Sequence, residues 1–476
     1  MITATEGDCG VQVSFRDPAG AVYQVAGRVL RAVHASHVQD LEDFLATRAA
    51  QEATRSGRLV RSQPISPADY GELGAEHLWE HERIAFPSFP YEWPVEMLHA
   101  AARLTLDLAE ASLEEGFGLK DATPYNVLFC GPRAVFVDVL SFERRDPLDT
   151  TWMAYGQFVR TFLLPLLAVA RFGLSLSQIL LAQRDGLDPE TVYGWAVPWQ
   201  RLMPPFLNLV TIPKWLGARS GGAAPCYRSR PAPSPEQARF VLEGLLASCG
   251  RQLESLARRT PRKSSWSGYL AEESPYSAAQ LAQKDKFVTE ALALVRPSRV
   301  LDVGANQGRF SILAARHAAE VVAIDSDPVV TGSIWRKASA ERLNILPLVV
   351  DLTRPTPATG WRNRECPSFL ERVRGEFDLV MLLAVAHHML VTERVPLEDL
   401  LALADELTRE YLLVEFVAPA DPMFQRIVHG RDELYAHFSP AWFEAAAASR
   451  FELIRSARIE GLHRWLYLYR RRRATN

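Results

Sequence analysis

From Ser298 onward the chain alternates short apolar runs with longer segments whose apolar positions recur every three to four residues. That alternation predicts strands and helices in turn, the pattern of a parallel α/β sheet. Arg299-Val-Leu-Asp-Val303 reads as a strand, Gly304–Gly308 as a turn, Arg309–Ala318 as a helix and Glu320–Ile324 as a second strand. Three further apolar runs, Ile345–Val350, Phe377–Leu383 and Glu410–Phe416, extend the sheet. Phe451–Ala457 and Arg464–Tyr469 then read as two closing strands that could form a hairpin.

The first half is less regular. Val11–Phe15 and Val22–Leu30 alternate around Asp17-Pro-Ala-Gly20 and predict a strand, a turn and a strand. Helical spacing follows over Val38–Ala50 and again over Val95–Glu115. Between them, His81–Pro94 carries prolines that forbid regular structure. Two strands are predicted at Asn126–Phe129 and Ala134–Val139, and helices dominate Trp152–Leu209. The apolar run Phe162–Ala170 lies between Arg160 and Arg171. It is well short of the ~20 residues that span a bilayer, so it reads as a buried helix. Gly217–Pro235 is rich in Gly, Ala, Ser and Pro and reads as a linker, followed by a helix from Pro235 to Arg258. The expected division is an α+β domain over 1–260 and an α/β domain over 261–476.

Composition adds limits. With 476 residues, 48% of them hydrophobic, the chain has material for more than one core. A net charge of −3 gives no argument for a nucleic-acid partner. The basic run Arg470–Arg473 reads as a solvated tail. Five scattered cysteines without a CxxC pair argue against a disulfide framework or a zinc site and fit a reducing cytoplasm. The first residues lack the basic-then-apolar pattern of a signal peptide.

The turn Asp302–Gly308 carries the chemistry. Glycines let a backbone turn tightly and approach a ligand. Gly304 to Asp325 spans 21 residues, which suits a βαβ unit whose second strand ends on an acid for ribose hydroxyls. Asn306 stands at the middle of what would be a Gly-x-Gly-x-Gly run, and Asn tolerates positive φ. A dinucleotide cofactor competes on this pattern alone. Asp302 inside the strand, the later strand-end Asp351 and the closing hairpin favour S-adenosyl-L-methionine (SAM).

Residues 286–470 resemble a class I SAM-dependent methyltransferase. The resemblance implies a Rossmann-like, seven-stranded sheet of mixed direction and SAM as cofactor. It implies that Asp302, Gly304 and Gly308, with Asn306 in the same turn, surround the methionine part, that Asp325 binds ribose, and that Asp351 and Leu352 lie beside adenine. Ala384 to His388 match the segment lining the transfer site. His81-Glu-Arg83, Phe86–Trp93, Leu119–Asn126, Asp351-Leu352, Gly360-Trp361 and Glu415-Phe-Val417 resemble a narrower group. These are two-domain bacterial methyltransferase-like proteins that include the rhizobial host-specific nodulation proteins, and the likeness covers nearly the whole chain.

Methyl transfer from a sulfonium is an in-line displacement, and the enzyme chiefly aligns the nucleophile. A base is needed only where the acceptor loses a proton. His387 and His388 follow the fourth strand and are the candidate catalytic residues, His387 ahead of its neighbour. The other reading is that they cap the strand or bond locally. Glu415 is a candidate for acceptor binding, or a satisfied strand-end carboxylate. Tyr269, Tyr276 and Lys286 precede the turn and are candidates to cover the pocket, or to pack a helix on the sheet. Trp361, Arg362 and Arg364 form an inserted loop, read as solvated charge.

In the first half, Asp121-Ala-Thr-Pro-Tyr-Asn126, followed by a strand, a turn and Val135-Phe-Val-Asp138, resembles the catalytic and metal-binding segments of the protein-kinase-like fold. The resemblance implies that Asp121 takes a hydroxyl proton, Asn126 holds a metal and Asp138 binds Mg²⁺. The departures are a missing Gly-rich loop, Lys120 before Asp121, Asp138-Val-Leu in place of Asp-Phe-Gly, and no strand-three Lys, Arg28 or Arg31 being the nearest cation.

The expected function is a cytoplasmic SAM-dependent methyltransferase acting on a small molecule, with no membrane, metal or nucleic-acid partner. The alternatives are a bifunctional protein with a kinase-like phosphotransferase half, and a non-catalytic SAM-fold binding protein. No Asn-Pro-Pro-Tyr-like motif and no paired cysteines mark the acceptor, and the oligomeric state stays open.

Overall fold

The computed structural model describes residues 11–14, 17–219, 231–258, 276–428 and 430–472. The chain divides into two compact units. One comprises residues 1–91, 95–260 and 360–365, the other residues 92–94, 261–359 and 366–476.

The second unit is built on seven strands: β1 (Arg299–Val303), β2 (Glu320–Asp325), β3 (Ile345–Val349), β4 (Phe377–Leu382), β5 (Thr408–Val417), β6 (Phe451–Arg458) and β7 (Arg464–Arg471). Their order across the sheet is β3-β2-β1-β4-β5-β7-β6. The first five are parallel, and β7 lies antiparallel between β5 and β6. This is the seven-stranded mixed sheet that the methyltransferase resemblance implies, so the unit has the class I methyltransferase fold. The central strands are almost wholly buried. Burial on both faces is why they read as continuous apolar runs rather than alternating ones.

Four helices position the site: α1 (Ala278–Val295), α2 (Arg309–Ala315), α3 (Pro328–Glu341) and α4 (Ala386–Val391). Ser277 and Gln280 close a reciprocal capping box that starts α1. Asp327 starts α3 by accepting the Val329 N–H at 2.8 Å, with Pro328 at the first helical position. Phe287, Val288, Ala291 and Leu292 of α1 pack into one core with Val300, Val321, Leu379 and Leu413 of the sheet.

The first unit carries five antiparallel strands, Val11–Ser14, Gly20–Val25, Arg28–Val33, Ser62–Ile65 and Leu78–His81, ordered first-second-third-fifth-fourth. Helices Ala35–Ala46 and Arg48–Arg55 lie between the third and fourth strands in the chain. After the helix Val95–Glu114 come two strand pairs, Phe117–Leu119 with Phe142–Arg144 and Val127–Cys130 with Arg133–Phe136.

Several expectations are corrected. Val22–Leu30 is not one strand: Ala26 and Gly27 both take positive φ and fold it into a hairpin. The helix expected over Val38–Ala50 is two helices, broken at the extended Thr47, whose hydroxyl caps the second by accepting the Ala50 N–H at 3.1 Å. Arg470 and Arg471 are no tail: they finish β7, and Arg471 Nε donates to Asp405 at 2.6 Å. Arg473 and Tyr269 lie outside the described residues. The run Phe162–Ala170 is buried through Ala168, with Leu164–Phe172 an α-helix and Val159–Leu163 a π-helical turn before it. No described helix is long and apolar enough to cross a membrane.

Candidate functional site

Where β1 ends, the chain must turn back over the sheet into α2. Gly304, Asn306 and Gly308 all take positive φ, at 69°, 49° and 76°. Space adds to backbone conformation at both glycines. A Cβ on Gly304 would sit 2.9 Å from Val385, and one on Gly308 would sit 2.9 Å from Ile334 of α3. The turn is fastened from the neighbouring strand. The N–H groups of Gly304 and Ala305 donate to the Ile324 carbonyl, and the Asn306 N–H donates to Asp325 Oδ2 at 2.8 Å. Asp325 Oδ1 accepts the Asp327 N–H at 2.9 Å. Burial pushes the Asp325 carboxyl above the usual range, and these N–H donors oppose it.

The turn opens on a cavity of about 300 Å³ at the carboxyl ends of β1, β2 and β4. This is the topological switch point, where the strand order reverses between β1 and β4 and where open α/β sheets place ligands. Gly304, Asn306, Asp325, Asp351, Leu352, Ala384 and His388 all line it. Asp351 Oδ1 accepts the N–H and hydroxyl of Thr353, at 2.9 and 2.6 Å, which fixes the loop after β3. Ala384, two residues beyond β4, has φ at 60°, a strained conformation for a residue with a Cβ.

Three predicted residues stand back from the wall. Gly308 starts α2 beneath it. Asp302 is buried and accepts the Ser311 hydroxyl at 2.6 Å, and burial pushes its carboxyl up to about 7. His387 is only 2% exposed, and neither ring nitrogen has a hydrogen-bond partner among the described residues. Its ring packs on His388 at 4.3 Å between centroids. It is His388, and not His387, that lines the cavity. Burial, then the Arg464 charge, lowers the His388 pKa and favours its neutral form.

Sequence reasoning missed Lys284. It lines the cavity although only 2% exposed. Its ammonium donates to Glu415 Oε2 at 2.6 Å and to the Tyr276 hydroxyl at 3.2 Å, and it lies 4.7 Å from the centre of the Phe310 ring. Tyr276 in turn donates to Glu415 Oε1 at 2.5 Å and accepts from Arg464 at 2.6 Å. Arg464 is also bidentate on Asp421, at 2.8 and 2.9 Å. Burial alone would raise the Glu415 carboxyl, but Lys284 and Arg464 outweigh it and hold Glu415 below the usual range. Glu415 is thus an interior carboxylate with a hydrogen-bond partner on each oxygen. Lys286, the lysine singled out from sequence, points to solvent beside Glu290. The signal was available: Leu281, Lys284, Val288 and Ala291 fall on one helical stripe, which places Lys284 on the buried face. Tyr276 lines the cavity, and Trp361 is 63% exposed.

No family model matches the chain. Over 465 residues it is 28% identical to Nodulation protein NoeA of Rhizobium meliloti (strain 1021), covering 96% of this chain and 95% of that protein. The resemblance to rhizobial nodulation proteins thus extends along the full length. Among solved structures, the chain is similar to the N-methyltransferase NodS from Bradyrhizobium japonicum WM9 in complex with S-adenosyl-L-homocysteine. The identity is 14% and the TM-score 0.33, over 44% of this chain and 97% of that one. It is also similar to magnesium protoporphyrin IX methyltransferase (ChlM) from Synechocystis PCC 6803 with bound SAM. There the identity is 16% and the TM-score 0.30, over 44% of this chain and 90% of that one.

Proposed function

We propose that the second unit binds SAM in this cavity and is a methyltransferase for a small-molecule acceptor. The observation that carries the reading is the coupling of the Asn306 turn to the Asp325 carboxylate at the sheet's switch point. The residues present fit the cofactor. Each Asp325 oxygen accepts one backbone N–H and keeps a further lone pair for a ribose hydroxyl. Asn306 Oδ1 is buried at the cavity with no hydrogen-bond partner among the described residues, an acceptor left for a ligand donor. Asp351 and Leu352, on the loop after β3, supply a polar and an apolar neighbour for a base.

When bound, SAM supplies a methyl group on a positively charged sulfur. Asp302 sits one layer behind the turn, and its carboxylate form gains from a nearby cation. His388 is a neutral imidazole on the wall and takes a proton where the acceptor must lose one. Lys284 and Tyr276 close the side of α1 as a fixed polar wall.

The test is calorimetric titration of the full chain with SAM and with S-adenosylhomocysteine, using Asp325→Ala as control. Binding by the wild type that is lost in the variant is expected. A well-folded wild type that binds neither compound would favour the third reading, a SAM fold kept as a non-catalytic scaffold.

For the first unit, the strand order and the Asp121–Asn126 loop ahead of the Val127–Phe136 hairpin support a kinase-like arrangement. The comparisons lend a phosphotransferase activity no support. A role in selecting or presenting the methyl acceptor is the simpler assignment.

A further inference from the structure

The kinase-like reading of the first unit implies a divalent cation on Asp138 and Asn126, and the side chains there do not fit one. We propose that Arg31 is a built-in cation standing where that metal would act, so that the unit takes no divalent metal. The inference rests on the kinase-like reading only for where a metal is expected; the geometry of the ion pair stands by itself.

One Asp138 oxygen is hydrogen-bonded and the other is engaged by charge alone, without a hydrogen bond among the described residues. Oδ1 faces Arg31 Nη2 at 2.9 Å, and Oδ2 accepts the Ser141 hydroxyl at 2.5 Å. Asn126 is turned to the same network. Its amide nitrogen donates to Ser141 Oγ at 3.1 Å and to the Asp121 carbonyl at 3.4 Å. A magnesium-like ion requires several oxygen ligands in near-octahedral array. It could reach Asp138 only by displacing the guanidinium.

That displacement is opposed from two directions. Arg31 is 5% exposed and sits mid-strand, paired with Val22 on one side and Trp79 on the other, which fixes its backbone and keeps its side chain in the interior. The same guanidinium also donates to Asp17, from the turn between the first two strands. Asp17 is itself fixed, because its other oxygen accepts the Ala19 N–H at 2.9 Å. The segment between the first two strands thus turns a carboxylate toward Arg31. One permanent positive charge between two carboxylates leaves a single net negative charge, little to hold a divalent ion. Among the described residues no group of three or more His, Cys, Asp or Glu side chains is arranged to hold a metal ion.

The probe is Mn²⁺, titrated into the full-length protein and followed by electron paramagnetic resonance. Four forms are compared, each checked for folding by circular dichroism: wild type, Asp138→Asn, Arg31→Met and Arg31→Met with Asp138→Asn. The expected result is no saturable site in wild type, one site in Arg31→Met and its loss in the double variant. Saturable Mn²⁺ binding by wild type that Asp138→Asn removes overturns the proposal. So does a folded Arg31→Met that gains no site. If Arg31→Met does not fold, the wild-type and Asp138→Asn comparison still decides. Adding ATP to Mn²⁺-loaded Arg31→Met separates the underlying reading. A variant that takes Mn²⁺ but no ATP leaves the stand-in role of Arg31 intact and counts against the kinase-like arrangement.

Discussion

Asp325 accepts the backbone N–H of Asn306 at 2.8 Å, so a side chain at the end of one strand sets the shape of the turn leaving its neighbour. Asp325→Asn separates charge from size. Its amide must present an N–H group to one of two backbone donors, which breaks one arm of the coupling. Hydrogen bonds to charged groups contribute about 1.5–3 kcal/mol, so S-adenosylhomocysteine affinity should fall roughly 10- to 100-fold. Calorimetry giving a dissociation constant within about twofold of wild type would remove Asp325 from the cofactor site.

Gly308→Ala tests the turn from the other end. The residue has φ at 76° and no room for a Cβ beside Ile334. A left-handed non-glycine residue costs about 1–2 kcal/mol and overpacking adds a similar amount. Thermal unfolding should show the loss. In an Ile334→Ala background, which lacks both Cγ atoms that the new Cβ would meet, the Gly308→Ala loss should shrink by the steric share only.

The interior charge network predicts strong non-additivity. Lys284→Met leaves Glu415, which is fully buried, short of its closest cation. Breaking one side of a buried pair typically costs about 3–5 kcal/mol. Neutralising the partner as well, in Lys284→Met with Glu415→Gln, should recover much of that. Urea unfolding in which the double variant is simply the sum of the singles would mean the two do not act as a pair.

Asp302 gives stability a pH dependence. Its folded pKa is pushed up to about 7 by burial, against 3.8 for the free side chain. The folded form therefore holds its proton more tightly than the unfolded chain. Its contribution is fully present below about pH 4, and it is lost as pH rises toward 7. The loss is on the order of 4 kcal/mol for a shift of this size. Asp302→Asn should flatten the curve across that window. An unchanged slope between pH 4 and 7 would place the titration elsewhere.

His387 and His388 should part company. His387 is buried without hydrogen bonds to the described residues, so His387→Leu removes a desolvated polar ring and should be neutral or stabilising in thermal unfolding. His388→Leu should leave stability within about 1 kcal/mol and act instead on the cavity it lines.

Much of the second unit was legible because its signals are local. The run from Arg299 to Asp325 contains a whole βαβ unit, and period and turn chemistry agree along it. The closing strands were read as apolar runs, and their reversed direction came only with the methyltransferase resemblance. What escaped depended on partners far away in the chain. Lys284 looks like any surface lysine until Glu415, 131 residues later, is brought beside it. His387 and His388 are adjacent in sequence, and only the start of α4 decides which one faces the cavity. In the first unit the Ala26-Gly27 hairpin was hidden because Ala is a poor residue for positive φ, leaving Gly27 as the one clue. The fourth and fifth strands were obscured by the prolines and short lengths of that region.

The reversed direction of β7 has a practical outcome. Arg470 pairs with Tyr411, near the start of β5, so β7 runs out at the end of the sheet opposite the cavity mouth. A dye or biosensor anchor attached just beyond Arg472 would hold the second unit with its ligand-accepting rim turned away from the support. Real-time cofactor binding should then be measurable on an immobilised chain without the anchor competing for the site.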